Sequence, residues 1–303
     1  MGRRSKWQRL PTEAVNPSSR NIDTLPLAGI VEAMILDNRS ILPAVQREKT
    51  RIAKAAGILA DAVQKGGRLI FVGAGTSGRL GVLEAAEMPP TFGVSRQTVQ
   101  AVIAGGRGAV FRAMEGAEDD AVDGDRALRR LRLTSNDVVI GISASGVTPF
   151  VRGALERAKR ARARVVTVTC HSHSQLTKFA DVPITLAVGP EVIAGSTRLK
   201  AGTATKIALN ILTTAAMIRA GKTYGNLMVD VKATNEKLRD RARRMIAAVT
   251  GLDGADAQAL LERARWHVKT AIVMHETGTT RTKAAARLRA SNDSVRQALL
   301  SSR

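Results

Sequence analysis

The chain has 303 residues, 44% of them hydrophobic, enough for one large α/β domain with helical extensions or two modest domains. Its one cysteine, Cys170, excludes an internal disulfide framework and most zinc-site patterns; a buried strand residue in a reducing compartment is expected. The formal charge of +21 raises the question of nucleic acid, but the excess is dispersed and aromatics are only 3%, so stacking platforms for single strands are nearly absent and no nucleic-acid partner is expected.

Along the chain, the basic "RRSKWQR" is followed by a polar, proline-punctuated segment to about residue 25. No apolar segment of signal-peptide type follows "MGRRSKWQRL", and no run approaches the roughly 20 apolar residues of a membrane span, so a soluble, cytoplasmic protein with no membrane partner is expected. "LAGIVEAMILDNRSIL" and "AVQREKTRIAKAAGILADAVQKGG" repeat apolar residues at three and four and predict helices, the second closed by Gly66-Gly67. The period then changes. Short apolar, β-branched runs at 68–73, 98–105, 137–144, 164–170 and 182–188, separated by helix-length segments, predict a five-stranded parallel sheet flanked by helices. A long helical pattern occupies 196–221, and shorter ones follow. Three regions are expected: an N-terminal arm with helices at 1–58, the sheet domain at 59–222, and a small C-terminal helical region at 223–303.

The stretch "GAGTSGRLGVLEAAEMPP" contains G-x-G-x-x-G, Gly73 to Gly78, at the end of the first strand. A dinucleotide loop also needs an acidic residue at the end of the second strand, and "AVIAGGRG" has none. Thr76 and Ser77 instead bring hydroxyls to backbone N–H groups where a helix begins, which suits an anion. After the third strand "SASGVTP" repeats that chemistry with Ser143, Ser145 and Thr148. Both loops lie at the carboxyl ends of predicted strands, where open parallel sheets bind ligands, so they point to one pocket holding a sugar-sized phosphate. Taken singly, either loop reads equally well as a tight turn with a helix cap.

The chain resembles the sugar isomerase (SIS) domain proteins and, within them, the N-acetylmuramic acid 6-phosphate etherases, over nearly its whole length. The resemblance is carried by "NPSSRNID" (16–23), "GAGTSGRLGVLEAAEMPPTFG" (73–93), "IAGGRGA" (103–109), "MEGAEDD" (114–120), "SASGVTPFV" (143–151), "GPEVIAGSTRLKAGTATK" (189–206) and "YGNLMVDVKATNEKL" (224–238). Val147 and Val15 stand where the family commonly has Arg, and Met88 where Cys is frequent. The resemblance implies cleavage of the lactyl ether of the sugar phosphate, with Glu87 as proton donor and Glu118 as the second active-site residue. It also implies a homodimer whose subunits complete each other's pockets.

Pro89 and Pro90 predict that the helix from about Leu80 ends near Glu87, where the negative end of its dipole favours a protonated acid. Glu84, Glu115, Asp119 and Asp120 are expected to be solvated charges. Ser196, Thr197, Arg198 and Lys200 are expected to begin the long helix and face the ligand, with Glu191 holding sugar hydroxyls. No metal or other cofactor is expected, since His171 and His173 have no further His or Cys at ligand spacing. A sugar-phosphate isomerase or a non-catalytic sugar-phosphate sensor would use the same pocket. A DNA-binding regulator would use the tail 277–303, which reads as helix, turn and helix.

Overall fold

Five short apolar runs pair into one parallel sheet in the computed structural model of the chain, which describes residues 10–231, 233 and 235–300. The basic start "RRSKWQR", the last three residues of the tail, and Lys232 and Thr234 within "YGNLMVDVKATNEKL" lie outside the described residues. Helices α1 (Leu27–Asp37), α2 (Ile41–Arg47) and α3 (Lys49–Gln64) precede β1 (Leu69–Gly73). Next come α4 (Gly75–Phe92), β2 (Val99–Ile103), α5 (Gly108–Phe111), α6 (Ala121–Arg130) and β3 (Val138–Ser143). Then follow α7 (Pro149–Arg160), β4 (Arg164–Thr169), β5 (Val182–Thr185) and α8 (Lys200–Arg219).

The strand order is β2-β1-β3-β4-β5 and every pairing is parallel. The expected α/β class and all five strands are therefore present, each strand slightly shorter than its apolar run. Every residue of β1 and β3 is buried, as central strands covered on both faces require, whereas β5 alternates between buried and half-buried. At the amino edge of the sheet, Asp137 ties these two central strands together. Its carboxylate accepts from the Arg68 backbone N–H (2.9 Å), Arg68 Nη2 (2.7 Å) and the Thr134 N–H (2.8 Å).

The chain divides into two compact units. One takes in the described residues up to Ala85 together with Gln97–Thr213; the other takes in Ala86–Arg96 and the described residues from Thr214 onward. The second unit contains α9 (Glu236–Thr250), α10 (Gly254–Arg263), α11 (Val268–Thr277), α12 (Arg281–Ala290) and α13 (Val295–Leu300). Asn235, Asp253 and Thr280 cap α9, α10 and α12 by accepting backbone N–H bonds. Ile246, Leu261, Ile272 and Val273 fill its core. In the tail, α12 and α13 do follow the helix, turn, helix pattern, but α13 has only six residues and buries Val295 and Ala298 in that core.

The expected end of α4 at Glu87 is corrected. The helix continues through Pro89 and Pro90 to Phe92, and the Gly93 N–H donates back to the Pro89 carbonyl at 3.0 Å. Proline's fixed φ is itself helical, so two prolines in the closing turn forfeit donors without turning the chain. Glu87 thus sits on an exposed face one full turn before the helix ends.

Candidate active site

Adjacent β1 and β3 connect onward in opposite directions across the sheet, to β2 on one side and β4 on the other. The loops leaving them diverge, and a crevice opens at their carboxyl ends, where such sheets bind ligands. A cleft of about 580 Å³ lies there. Thr76 and Ser77 form one wall, Ser143, Ser145 and Thr148 a second, and Thr197 and Glu118 complete the set of expected residues that the fold brings together.

The glycine loop is shaped by close approach. A Cβ on Gly73 would lie 2.7 Å from the Gly78 nitrogen, and Gly75 has φ +52°, so the chain turns from strand to helix in a space only glycine fits. Helix α4 begins at Gly75, which leaves its first backbone N–H groups without intrahelical acceptors at the cleft. The second loop is ordered by its own hydroxyls. The Ser143 Oγ is 2.7 Å from Thr148 Oγ1 and accepts from the Gly146 N–H at 3.1 Å. From beneath, buried Ser174 donates to the Gly146 carbonyl at 2.9 Å.

Glu118 sits in a single 3-10 turn, Ala117–Asp119, entered through left-handed Gly116. The preceding segment is pinned by Arg79 of α4, whose Nε donates to the Val110 carbonyl (3.0 Å) and Nη2 to the Arg112 carbonyl (3.2 Å). Partial burial, followed by the like charges of Asp119 and Glu115, holds the Glu118 pKa above the ordinary glutamate value. Glu118 also borders a smaller cavity of about 180 Å³ beside Arg79.

Glu87, Glu191, Ser196 and Lys200 are not among the residues lining the cleft. Helix α8 starts at Lys200, so Ser196 and Thr197 fall in the turn before it, and Glu191 caps the helix. The two Glu191 carboxylate oxygens accept from the backbone N–H groups of Lys200 (3.0 Å) and Ala201 (2.9 Å). Burial pushes the Glu191 pKa up, against those two bonds and the Lys200 charge. Lys200, also buried, turns its ammonium to Asp37 at 2.7 Å. Arg198 is exposed.

One expectation about acids needs correcting. Glu84 is buried, not solvated: its carboxylate accepts from Asn210 and, at 2.8 Å, from Thr213 Oγ1, because it shares an inward face of α4 with Gly81 and Met88. Glu115, Asp119 and Asp120 are exposed, as expected; Asp119 in addition lines the cleft, and Asp120 caps α6 by accepting from the Asp123 N–H at 2.9 Å.

Sequence reasoning missed Thr12 and Glu13, which form part of the wall. Their only signal was a "PTE" turn in a segment read as irregular. The lining side chains include the carboxylates of Glu13, Glu118 and Asp119 and, among the described residues, no cation. Val147 stands in the wall.

Residues 51–159 match the family of the glucokinase regulatory protein N-terminal SIS domain, and residues 121–215 match the SIS domain family. Among solved structures, a phosphoheptose isomerase from Neisseria gonorrhoeae is similar in fold, with a TM-score of 0.50 and 18% identity over 63% of this chain and 99% of that one. The N-acetylmuramic acid 6-phosphate etherase of Trichormus variabilis is 49% identical across 96% of this chain and 95% of its own. That of Clostridioides difficile is 46% identical across 97% of both. With this likeness running through the sheet, the cleft loops and the C-terminal helices alike, the chain belongs to the N-acetylmuramic acid 6-phosphate etherases.

Proposed function

We propose that the cleft at the β1 and β3 ends cleaves the D-lactyl ether of N-acetylmuramic acid 6-phosphate, giving N-acetylglucosamine 6-phosphate and D-lactate in amino-sugar catabolism and peptidoglycan recycling. The observation that carries this reading is a cleft built from two hydroxyl loops, with Glu118 on its wall, in a chain whose likeness to etherases is nearly end to end. The hydroxyls of Thr76, Ser77, Ser145 and Thr148 and the open N–H groups of α4 suit a phosphate. In the open-chain sugar the aldehyde acidifies the C2 proton. Glu118 takes that proton, the C3–O bond breaks as an acid protonates the lactyl oxygen, and water adds its hydroxyl to C3 and a proton to C2.

Glu87 is the proposed acid. It is exposed on α4, outside the cleft's own lining, so this role calls for a second copy of the chain. Helix α1 supports such a homodimer: none of its residues is buried, and Leu27, Val31 and Ile35 are 77%, 49% and 62% exposed. Sugar-phosphate binding is assigned to the sheet region 59–222 together with the strap at residues 10–20. A cytoplasmic location suits the one free, buried Cys170, and no described helix is long and apolar enough to cross a membrane.

The test is D-lactate release from N-acetylmuramic acid 6-phosphate in metal-free buffer, followed by a coupled lactate assay. Release supports the reading. Binding of the sugar phosphate without release would overturn it in favour of an isomerase or a sensor.

A further inference from the structure

We propose that Thr12 and Glu13 form a subsite for the neutral, donor-rich part of the sugar, its acetamido group and adjoining hydroxyls, and thereby select amino-sugar phosphates over plain sugar phosphates. The proposal rests on the etherase reading and assigns to the N-terminal strap a part in choosing substrate.

The strap is held on the loop before α8 by three long-range bonds. The Gly195 N–H donates to the Thr12 carbonyl (3.0 Å), Asn16 Nδ2 to the Pro190 carbonyl (3.2 Å), and Ser19 Oγ to the Val192 carbonyl (2.7 Å). Asn16 also donates to Asp37 Oδ1 at 3.0 Å, the oxygen that takes the Lys200 ammonium. These contacts fix residues 11–13 as one short turn on the cleft wall. Within it Thr12 is only 3% exposed, yet its Oγ1 is buried with no hydrogen-bond partner among the described residues. Buried hydroxyls are almost always paired, so an unpaired one on the wall of a cleft points to a ligand atom as its partner. Beside it the Glu13 carboxylate lies against Gly195, where a Cβ would come within 3.2 Å of Oε2. Glu13 as a whole is exposed.

Charge decides which part of the substrate goes there. A carboxylate repels both the phosphate and the lactyl carboxylate, and an ionised carboxylate only accepts hydrogen bonds. The phosphate therefore sits at the 75–77 and 143–148 loops, which hold no carboxylate. Glu13 accepts from sugar O–H and amide N–H groups, and Thr12 donates to the acetamido carbonyl. An analogue lacking the amide leaves the subsite unpaired, the kind of loss on which strong discrimination rests.

The experiment compares full-length wild type, Glu13→Gln, Glu13→Ala and Thr12→Val. It measures KM for N-acetylmuramic acid 6-phosphate and Ki for N-acetylglucosamine 6-phosphate, glucose 6-phosphate and inorganic phosphate. Glu13→Ala is expected to raise KM and the N-acetylglucosamine 6-phosphate Ki about tenfold or more, as loss of hydrogen bonds to a charged group implies. It should also erase most of the wild-type preference over glucose 6-phosphate while leaving the Ki for inorganic phosphate unmoved. Glu13→Gln should fall between Glu13→Ala and wild type, and Thr12→Val should weaken the amide-bearing ligands alone. Unchanged discrimination in Glu13→Ala, or an equal loss for inorganic phosphate, would overturn the proposal while an active wild type keeps the etherase reading. A wild type that neither releases lactate nor binds N-acetylglucosamine 6-phosphate would overturn both.

Discussion

Gly153→Ala should damage the cleft from a distance, because α6 and α7 touch backbone to backbone. A Cβ on Gly153 would lie 1.9 Å from the Ala121 carbonyl oxygen, and reciprocally one on Gly124 would lie 2.0 Å from the Phe150 carbonyl oxygen. Ordinary contact begins near 3.4 Å, so the added methyl must part the helices by about 1.5 Å, and no side chain is present to yield instead. Overpacking of this kind costs about 1–3 kcal/mol, with backbone on both sides favouring the upper end. For a domain of this size that lowers Tm by roughly 6–12 °C. The functional cost comes from what the helices carry. Helix α6 starts two residues after Glu118–Asp119, and α7 starts directly after the 143–148 loop, so separating them moves two cleft walls apart. A misplacement of about 1 Å in positioned groups is worth on the order of 100-fold in rate. Thermal unfolding followed by circular dichroism, with kcat/KM from D-lactate release, reads both effects. Gly57→Ala is the control: nothing lies within 4 Å of its Cβ position in α3, and it should be neutral or stabilising by about 0.5–1 kcal/mol. A Gly153→Ala protein that melts with wild type and keeps its kcat/KM would refute the reasoning.

Asp137→Asn should cost about 2–3 kcal/mol by turning an amide N–H group toward the donors of Arg68 and Thr134, with KM unchanged because the clamp lies at the sheet edge opposite the cleft. Burial alone would raise the Asp137 pKa, but hydrogen bonds from Arg68 and Thr134 overcome it and leave the pKa lowered. A lowered folded-state pKa gives stability that is fully present above the unfolded aspartate value, about 3.9, and is lost as pH falls through the folded value. Urea midpoints between pH 7 and pH 2 should therefore fall more steeply in wild type than in Asp137→Asn. Glu118→Gln should bind N-acetylglucosamine 6-phosphate yet release almost no lactate. Because Glu118 must be ionised to act as base and its pKa is raised, the acid limb of the kcat/KM profile should lie above 4.5; a limb at or below that value would remove it as base. Arg79→Ala frees the carbonyls of Val110 and Arg112 and should lower kcat about tenfold, with Arg79→Lys recovering only part, since one ammonium does not reproduce the two-point clamp. Glu87→Gln should likewise keep ligand binding while losing lactate release, and near-normal turnover would take Glu87 out of the mechanism.

What the sequence made legible were features decided over short stretches of chain. The strands show because all-buried β1 and β3 need unbroken apolar runs such as "LIFV" and "VVIGI". The two hydroxyl loops show because strand, turn and helix follow one another within ten residues, and parallel topology then places both at one edge. Proline misled for the same local reason: "EMPP" reads as a stop signal, but whether a helix stops depends on what its unpaired carbonyls meet, which neighbouring residues alone do not fix.

The carboxylates mark the limit more sharply. Glu84, Glu87 and Glu191 are the same chemical group, yet the fold gives each a different setting. Glu84 is taken inward by Asn210 and Thr213, 126 and 129 residues on, and Glu191 is used up as the cap of α8. Glu13 reaches the cleft on a strap that Asn16 and Ser19 tie to carbonyls 174 and 173 residues later. A motif locates a carboxylate when the backbone around it is itself the device, as in the left-handed Gly116 turn that presents Glu118. Where the device is a strap tied across the fold, only the closed structure shows which acids line the cleft, and Glu13, unremarkable in sequence, is one it adds.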